Sequence, residues 1–346
     1  MLDDLKHIHQ IDVSDALGFA GKEPEQLLSN YETEVGIDPS SIANVVYAGM
    51  GGSALAGSLS QTWPGYRVPF EVVRNYSLPS YVSASSLCIV SSASGNTEET
   101  LSALEDAQNK GAKIVVIAGG GKLVEIAREK SIPLFLLPPS PQPRYGVFNN
   151  LKALVNIGAQ TGIFRDPTDG VLEQAAEFLK SQAQGWEATK PVSNNYAKQM
   201  AQDCLGKSIV IYGGPLMAPA AYKWKISFNE NAKQVAWCGT YSEFNHNEFV
   251  GWTDQPVDKP YCVIDLRSDL ELPRIQARFK LSQQLLSGRR PDPIVVNSIG
   301  SNVLEQLLYC VLLGDFVSIY AAIAAGTNPE PVELVEKFKQ LLAQNE

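Results

Sequence analysis

The stretch that decides the fold is Ser92-Ala93-Ser94-Gly95-Asn96-Thr97-Glu98-Glu99-Thr100. It lies between an apolar strand pattern, 87–90, and a helical pattern that begins near Thr97. The hydroxyl groups of Ser92, Ser94 and Thr97, a glycine that permits a close turn, and the N–H groups that begin the helix together suit an anion. We therefore predict that this loop binds the phosphate of a sugar or a nucleotide. The alternative is an ordinary strand-to-helix turn capped by Thr97.

The same alternation of apolar strands, glycine turns and helices extends along the whole chain. In the first half it predicts an N-terminal helical segment ending near residue 34, strands at 44–48, 70–73, 87–90, 113–117 and 134–137, and helices starting near 53, 97, 122 and 147. In the second half it predicts strands at 208–212, 234–237, 261–266 and 293–297, and helices at 216–231, 272–286 and 302–325. This order is typical of parallel sheets covered by helices.

A repeated motif, a strand followed by a glycine turn, indicates two related domains. Val46-Tyr47-Ala48-Gly49-Met50-Gly51-Gly52-Ser53 and Val210-Ile211-Tyr212-Gly213-Gly214-Pro215 are both a strand followed by a glycine turn, about 160 residues apart. We predict an α/β protein of two doubly wound parallel-sheet domains, flavodoxin-like or Rossmann-like, at 1–165 and 166–346, the first including the N-terminal helical segment and the second including linker helices and a C-terminal helix. Because ligands in such folds bind at the carboxyl ends of the strands, both glycine turns should open toward the ligand.

Composition excludes several classes of function. The chain has 346 residues, of which 45% are hydrophobic and 19% charged, and its net charge of −9 is spread without a basic stripe. Nucleic acid and anionic membranes are therefore not predicted partners. No apolar run is expected to reach the roughly 18 residues of a membrane span, and the acidic start Met1 to Lys6 lacks the hydrophobic core of a signal peptide. These features predict a cytoplasmic protein.

The histidines and cysteines of the chain do not form a pattern typical of a metal site. The three histidines are His7, His9 and His246, and the five cysteines contain no C-x-x-C pattern. The cysteines lie mostly in apolar runs, as reduced core thiols do. No metal site is predicted.

One motif competes with the sugar-phosphate interpretation. Gly49-x-Gly51-x-x-Ala54 matches a dinucleotide fingerprint, with Glu71 as a possible ribose acceptor. The acid should stand at the carboxyl end of the second strand, whereas Glu71 opens that strand. The fingerprint also leaves the loop 92–97 without a role, so a nicotinamide cofactor is disfavoured and no cofactor is predicted.

Four segments together resemble a known enzyme family. They are Gly49-Met50-Gly51-Gly52-Ser53, the stretch 92–100, Phe228-Asn229-Glu230-Asn231-Ala232-Lys233, and Glu243-Phe244-Asn245-His246-Asn247-Glu248. They resemble the bifunctional phosphoglucose/phosphomannose isomerases, which are built from two sugar-isomerase (SIS) domains. The first two segments mark SIS domains generally, and the last two, sixteen residues apart from Glu230 to His246, are more specific to this group. The chain departs from the family at Ala93, where tyrosine is common, which leaves the hydroxyl groups unaffected.

The resemblance implies aldose–ketose isomerisation of glucose 6-phosphate, and of mannose 6-phosphate, with fructose 6-phosphate through a cis-enediolate. The phosphate would be bound by residues of the first domain: Gly52, Ser53, Ser92, Ser94 and Thr97. Glu230 would be the base that moves a proton between C2 and C1, and His246 would handle ring-opening protons. From the residues alone, Glu230 can also be a solvated helix-end acid and His246 a structural histidine.

The family's two cations map onto Arg144 and the C-terminal helix. Arg144, in Gln142-Pro143-Arg144-Tyr145, would stabilise the negative enediolate, and its alternative is a surface arginine on a proline-rich loop. Lys337 is the preferred match for the ring-opening lysine, with Lys339 as the alternative. In that register the family's common threonine, associated with acceptance of the mannose epimer, is replaced by Glu330, so the resemblance to the family does not extend to this residue.

The resemblance also implies a homodimer in which the histidine reaches the partner's active site. Two other functions stay open at this point. A non-catalytic SIS regulator would keep the phosphate loop, but such proteins usually append a DNA-binding or nucleotide-binding module. The isomerase half of an amidotransferase would follow an N-terminal cysteine nucleophile, whereas the first cysteine here is Cys88.

Overall fold

A computed structural model describes residues 1–254, 261–342 and 344 of the chain. They form two compact units. The first unit comprises Lys22–Lys180 and Gly300–Glu305, and the second comprises Met1–Gly21, Ser181–Ile299 and Gln306–Glu346. These units differ from the domain boundary at 165, which stays a prediction.

The N-terminus belongs to the second unit because of polar contacts that sequence patterns do not reveal. The Asp3 carboxylate accepts the backbone N–H of Val192 at 2.7 Å and lies 3.7 Å from the Lys198 ammonium group. Lys198 is itself buried and also donates to two backbone carbonyl oxygens. The first residues are therefore tied to a segment almost 200 positions later in the chain.

The first unit contains a five-stranded parallel sheet in the order β2-β1-β3-β4-β5. Its strands are β1 (Asn44–Gly49), β2 (Phe70–Val73), β3 (Ser86–Ser92), β4 (Lys113–Ala118) and β5 (Leu134–Leu136). Strands β1 and β3 are almost wholly buried, as expected of central strands covered on both faces. Two helices precede this sheet in the chain, α1 (Leu5–Ile11) and α2 (Ala16–Lys22). The helices that follow its first strand are α3 (Gly51–Thr62), α4 (Glu98–Asn109), α5 (Gly121–Glu129), α6 (Val147–Thr161) and α7 (Val171–Gly185).

The second unit contains a four-stranded parallel sheet in the order β7-β6-β8-β9. Its strands are β6 (Ser208–Gly213), β7 (Ala236–Thr240), β8 (Tyr261–Arg267) and β9 (Ile294–Asn297). The helices in this part of the chain are α8 (Tyr196–Cys204), α9 (Ala218–Ser227), α10 (Glu248–Gly251), α11 (Pro273–Leu285), α12 (Val303–Ala324) and α13 (Glu333–Leu342). The first four strands of the other sheet have the same order, so the prediction of two doubly wound parallel sheets is confirmed.

Helix α12 forms the core of the second unit over most of its length. It is long and apolar enough by composition to cross a membrane, but its most apolar stretch is wholly buried inside the protein. Trp224 donates its indole N–H to the Cys310 carbonyl oxygen at 2.6 Å, which fixes α9 against α12. We therefore interpret α12 as a core helix. Its length and apolar composition differ from the expectation that no apolar run is long enough to span a membrane, because Glu305 and Asp315 divide the run in the sequence.

Two predicted helical segments have a different structure. Residues 29–34 are irregular, because Ser29 bonds to Asn149 and Thr33 bonds to the Leu134 carbonyl oxygen instead of continuing a helix. The helix predicted at 216–231 begins at Ala218 and ends in a single π-helical turn, Phe228–Ala232. Such turns are often found at functional sites.

Candidate active site

The hydroxyl groups of the loop between β3 and α4 face one another. Ser92 Oγ lies 2.8 Å from Thr97 Oγ1 and 3.4 Å from Ser94 Oγ, and it accepts the Gly95 N–H at 3.1 Å. Thr97 occupies the N-cap position of α4, but its side chain makes no capping bond to the helix. Its hydroxyl group is used inside the loop instead, which is not the arrangement of an ordinary capped turn.

Neighbouring elements hold this loop in place. Ser53, in the first turn of α3, accepts the Ala93 N–H at 3.0 Å through its hydroxyl oxygen. Gly95 has a φ of +68°, and a Cβ atom there would lie 1.7 Å from the Gly120 carbonyl oxygen. Only glycine fits this close approach. The structure therefore brings the predicted residues Ser53, Ser92, Ser94 and Thr97 together, with Ser92 buried and Ser94 exposed.

Gly52 brings the predicted arginine to the beginning of α3. A Cβ atom at Gly52 would lie 2.7 Å from the Pro143 carbonyl oxygen and 3.0 Å from the Arg144 backbone nitrogen. Arg144 is 1% exposed, so its alternative as a surface arginine is wrong. Its guanidinium group donates to Gln142 at 3.4 Å and lies 4.9 Å from the centre of the Tyr145 ring. The backbone of a buried arginine and a hydroxyl-lined loop thus adjoin the same helix N-terminus.

A cavity of about 330 Å³ lies beside the loop in the first unit. Ala93, Ser94 and Gly119 line one part, and the segment 137–141 lines another. Ser94 therefore lines a space large enough for a small ligand.

The glycine turn of the second unit is different, because the protein's own carboxylate fills it. Glu271 is 5% exposed and accepts the Leu216 N–H at 2.7 Å. A Cβ atom at Gly214 would lie 2.3 Å from Glu271 Oε1. Burial raises the pKa of Glu271, while the backbone N–H donors oppose this rise. The expectation that both glycine turns open to ligand is thus wrong for the turn at 213–215.

Glu230 lies in the π-helical turn that ends α9, and it is half-buried. The residues beside it make structural bonds: Asn229 Oδ1 accepts the Ala236 N–H at 3.0 Å, and Asn231 Nδ2 donates to Ser318 Oγ at 2.9 Å. The two asparagines thus fix the backbone on both sides of the predicted base.

Lys233 connects this turn to the segment that leads into α13. It has a left-handed backbone, with φ of 53°, and its ammonium group donates to the carbonyl oxygens of Asn328 at 2.8 Å and Pro329 at 2.9 Å. Glu330, the residue predicted to bear on epimer preference, directly follows. Sequence analysis gave Lys233 no role, although its place in the motif was the available signal.

His246 is exposed at the end of a short 3₁₀ helix, Glu243–His246. The residue beside it is anchored, because Asn245 donates to Ser282 Oγ at 2.8 Å and accepts from Arg278 at 3.1 Å. The imidazole therefore lies at the surface on an anchored segment, and its catalytic role stays a prediction.

A buried arginine that sequence analysis missed supports the His246 segment. Arg290 is 7% exposed, and its guanidinium carbon lies 5.6 Å from the ring centres of Tyr212 and Phe244 and 5.8 Å from that of Trp252. Phe244 belongs to the helical turn that carries His246, so these cation–π contacts bind that turn to the sheet. Arg290 stands in a Gly288-Arg289-Arg290-Pro291 turn that reads as surface loop, and it offered no sequence signal.

Helix α13 carries both candidate lysines and has no buried residue. One face bears a stripe of exposed apolar side chains: Leu334, Val335, Phe338, Leu341 and Leu342. By helical geometry, Lys337 and Lys339 flank this stripe on opposite sides. Lys339 pairs with Glu336 at 2.8 Å. The choice of Lys337 over Lys339 stays a prediction.

Two further sets of residues bear on a dinucleotide site and on a metal site. Glu71 lies early in β2 and accepts the Tyr81 hydroxyl at 2.6 Å, so it is not the ribose acceptor at the strand's end that a dinucleotide site requires. Within residues 1–254, 261–342 and 344, no three His, Cys, Asp or Glu side chains are grouped as metal ligands.

Three comparisons with known proteins agree. A family profile, "Bacterial phospho-glucose isomerase C-terminal SIS domain", matches residues 193–342. A bifunctional phosphoglucose/phosphomannose isomerase from Caldicellulosiruptor bescii is 33% identical over 93% of this chain and 97% of its own, and one from Aquifex aeolicus is 31% identical over 94% and 98%. The crystal structure of a glucose-6-phosphate isomerase-like protein from Thermus thermophilus shares the fold, with a TM-score of 0.66 at 18% identity over 96% of this chain and 99% of that one.

The matches to these two relatives extend over 93% and 94% of the chain and over almost the whole length of each relative. The predicted resemblance is thereby confirmed, and the chain belongs to the bifunctional phosphoglucose/phosphomannose isomerase family.

Proposed function

We propose that this protein interconverts glucose 6-phosphate, and mannose 6-phosphate, with fructose 6-phosphate. One observation carries the proposal: a hydroxyl-lined loop and the backbone of a buried arginine adjoin one helix N-terminus in the first unit. Such an arrangement suits a substrate that has a phosphate at one end and develops negative charge at the other during reaction.

The phosphate group is the part of the substrate by which the protein would hold it. Ser94 and Thr97 would donate hydroxyl hydrogen bonds to its oxygens, while the first N–H groups of α3 and α4, which have no acceptors within their helices, add favourable dipoles. Gly52 lies in that first turn of α3 and admits the close approach of the Arg144 backbone. Fixing the phosphate in this way orients C1 and C2 for proton transfer.

The chemical steps need a base, a ring-opening pair and a cation. Glu230 would remove the proton from C2 and return it to C1, through a cis-enediolate whose negative charge Arg144 stabilises. His246, with Lys337, would transfer protons at the ring oxygen and O1, because imidazole exchanges protons near neutral pH. No cofactor takes part in this scheme.

The direct test is a coupled assay of the purified protein with fructose 6-phosphate, with glucose 6-phosphate and mannose 6-phosphate measured separately. We expect both products, with the glucose epimer formed faster because Glu330 stands where the family often has threonine. Tight binding of fructose 6-phosphate with neither product formed would favour the second candidate function, a non-catalytic sugar-phosphate sensor.

The assay also tests metal independence. With no grouped metal ligands among the described residues, we expect EDTA treatment followed by gel filtration to leave the rate of glucose 6-phosphate formation unchanged. Loss of activity on chelation, restored by adding zinc or another divalent cation, would contradict this expectation.

The phosphate loop has its own test. Ser94→Ala should raise KM for fructose 6-phosphate by about 5-fold to 30-fold, which corresponds to roughly one to two kcal/mol for a lost hydrogen bond to a charged group. Ser83→Ala is the matched control, because Ser83 is also an exposed loop serine but lies before β3, at the other end of that strand. An unchanged KM in both Ser94→Ala and Thr97→Ala would overturn the phosphate assignment.

We further propose a cytoplasmic homodimer. Support comes from the apolar stripe of α13, which a monomer leaves in water although it contains four fully apolar aliphatic side chains and a phenylalanine. A second copy that covers this stripe would also order the lysines that flank it. Sedimentation equilibrium of the full chain, compared with a Phe338→Glu variant, should show loss of the dimer in the variant.

A further inference from the structure

The π-helical turn that carries Glu230 is held at both ends by buried polar bonds from one helix. On its N-terminal side, Ser227 Oγ donates to Asp315 Oδ1 of α12 at 2.7 Å. On its C-terminal side, Asn231 Nδ2 donates to Ser318 Oγ, three residues further along α12, at 2.9 Å. The three residues between these two attachment points include Glu230.

A buried ion pair strengthens the first attachment. Lys223, one turn before Ser227 on α9, pairs with Asp315, and both side chains are 0% exposed. The Lys223 ammonium group also donates to Ser227 Oγ at 2.8 Å, so the lysine, the serine and the aspartate contact one another. Asp315 Oδ2 has no hydrogen-bond donor within the described part of the chain.

Such a cluster usually contributes little to the free energy of unfolding. Replacing a buried ion pair by apolar residues of similar size is often neutral or even stabilising, because desolvation offsets the attraction between the charges. Ser318 is also tied to its own helix, since its hydroxyl group donates to the Asp315 carbonyl oxygen at 3.0 Å. The polar groups are therefore well suited to fixing geometry, and the geometry they fix is that of the turn at 228–232.

We propose that Asp315, Lys223 and Ser318 are positioning residues that act through Glu230. This inference rests on the proposed function, in which Glu230 is the base. A base that moves a proton between two adjacent carbons must reach both, and a displacement of about 1 Å can cost up to 10²-fold in rate. A π-helical turn held at two points from α12 restricts the carboxylate to the required region.

Two variants test the proposal at different levels of disruption. Ser318→Ala removes one attachment and should lower kcat about tenfold. KM for fructose 6-phosphate should change less than about twofold, because other residues would bind the phosphate. Ser318→Thr keeps the hydroxyl group and should restore most of kcat. The matched control is Ser60→Ala, since Ser60 is an equally buried serine that bonds to Gly57 and Tyr66 in the first unit.

The second variant separates positioning from folding. Lys223→Met with Asp315→Leu removes both charges together and should keep or raise the melting temperature. We nevertheless expect it to lose kcat by about tenfold or more, since Ser227 no longer has a charged partner on α12. Normal kcat in this double variant and in Ser318→Ala would overturn the proposal.

The decisive measurement is whether the loss of kcat caused by Ser318→Ala depends on the presence of Glu230. If Ser318 acts through Glu230, Ser318→Ala should add almost nothing to the loss already caused by Glu230→Gln. A merely structural role would give the same fold loss in both backgrounds, and that result would also overturn the proposal. The wild-type protein is assayed alongside: an inactive wild type would contradict the proposed function itself, whereas an active wild type with additive losses would contradict only this inference.

Discussion

Glu230→Gln should lower kcat for fructose 6-phosphate by about 10²-fold or more while leaving substrate affinity close to normal. The amide has the shape of the carboxylate but cannot remove the C2 proton. The neighbouring asparagines keep their bonds to Ala236 and Ser318, so the turn should retain its structure. Steady-state kinetics together with calorimetric binding of fructose 6-phosphate would measure the two effects separately.

Glu129→Gln makes the same chemical change at an exposed position of α5 and serves as the control. It should retain wild-type kcat. Near-normal turnover in Glu230→Gln would show that another group is the base. A variant that loses binding as well as turnover would instead place Glu230 among the residues that hold the substrate.

The sheets were predictable because their strands are continuous apolar runs. The predicted strand at 70–73 is the one observed, and those at 44–48 and 87–90 are each extended by one to three residues in β1 and β3. Strands of a parallel sheet are buried on both faces, so their residues carry a strong local signal. Glycines and hydroxyl residues just after those strands then located the loop at 92–97.

Elements shaped by tertiary hydrogen bonds were less predictable. Strand β7 begins at Ala236 and not at Gln234, because the Gln234 amide donates to the Cys204 carbonyl oxygen at 2.9 Å and Lys233 takes a left-handed backbone. The π-helical turn likewise differs from an α-helix by one step in hydrogen-bond register. The residues that bond to this turn lie in α12, about 90 positions later in the chain, and no local propensity encodes them.

The same distinction applies to the site. Ser92 could be found because its loop lies between an apolar strand pattern and a helical pattern, and Glu230 could be found because its motif resembles that of a known family. Buried cations such as Lys223 and Arg290 could not, because a lysine in a helix or an arginine in a Gly/Pro-containing turn usually lies at the surface. Their roles depend on Asp315 and on three aromatic rings that are distant in sequence.

Mixing two inactive variants should regenerate activity if His246 serves the partner's active site. In a homodimer with shared sites, one site of a Glu230→Gln/His246→Ala heterodimer carries both lesions and the other carries neither. Random exchange of subunits makes half of the dimers mixed, so the expected recovery is about a quarter of wild-type activity. The imidazole is exposed, and its segment is anchored through Asn245 and Phe244.

The control mixes Glu230→Gln with a chain that carries both Glu230→Gln and His246→Ala, a combination in which every site lacks the base. It should show no recovery. Native mass spectrometry of differently tagged chains would verify that subunits exchange. Mixed dimers that form without activity, or a fully active monomer, would contradict the shared site and assign His246 to the active site of its own chain. Recovery near a quarter would require that each active site draw its base and its histidine from different subunits, because no arrangement within one chain leaves an intact pair in that mixture.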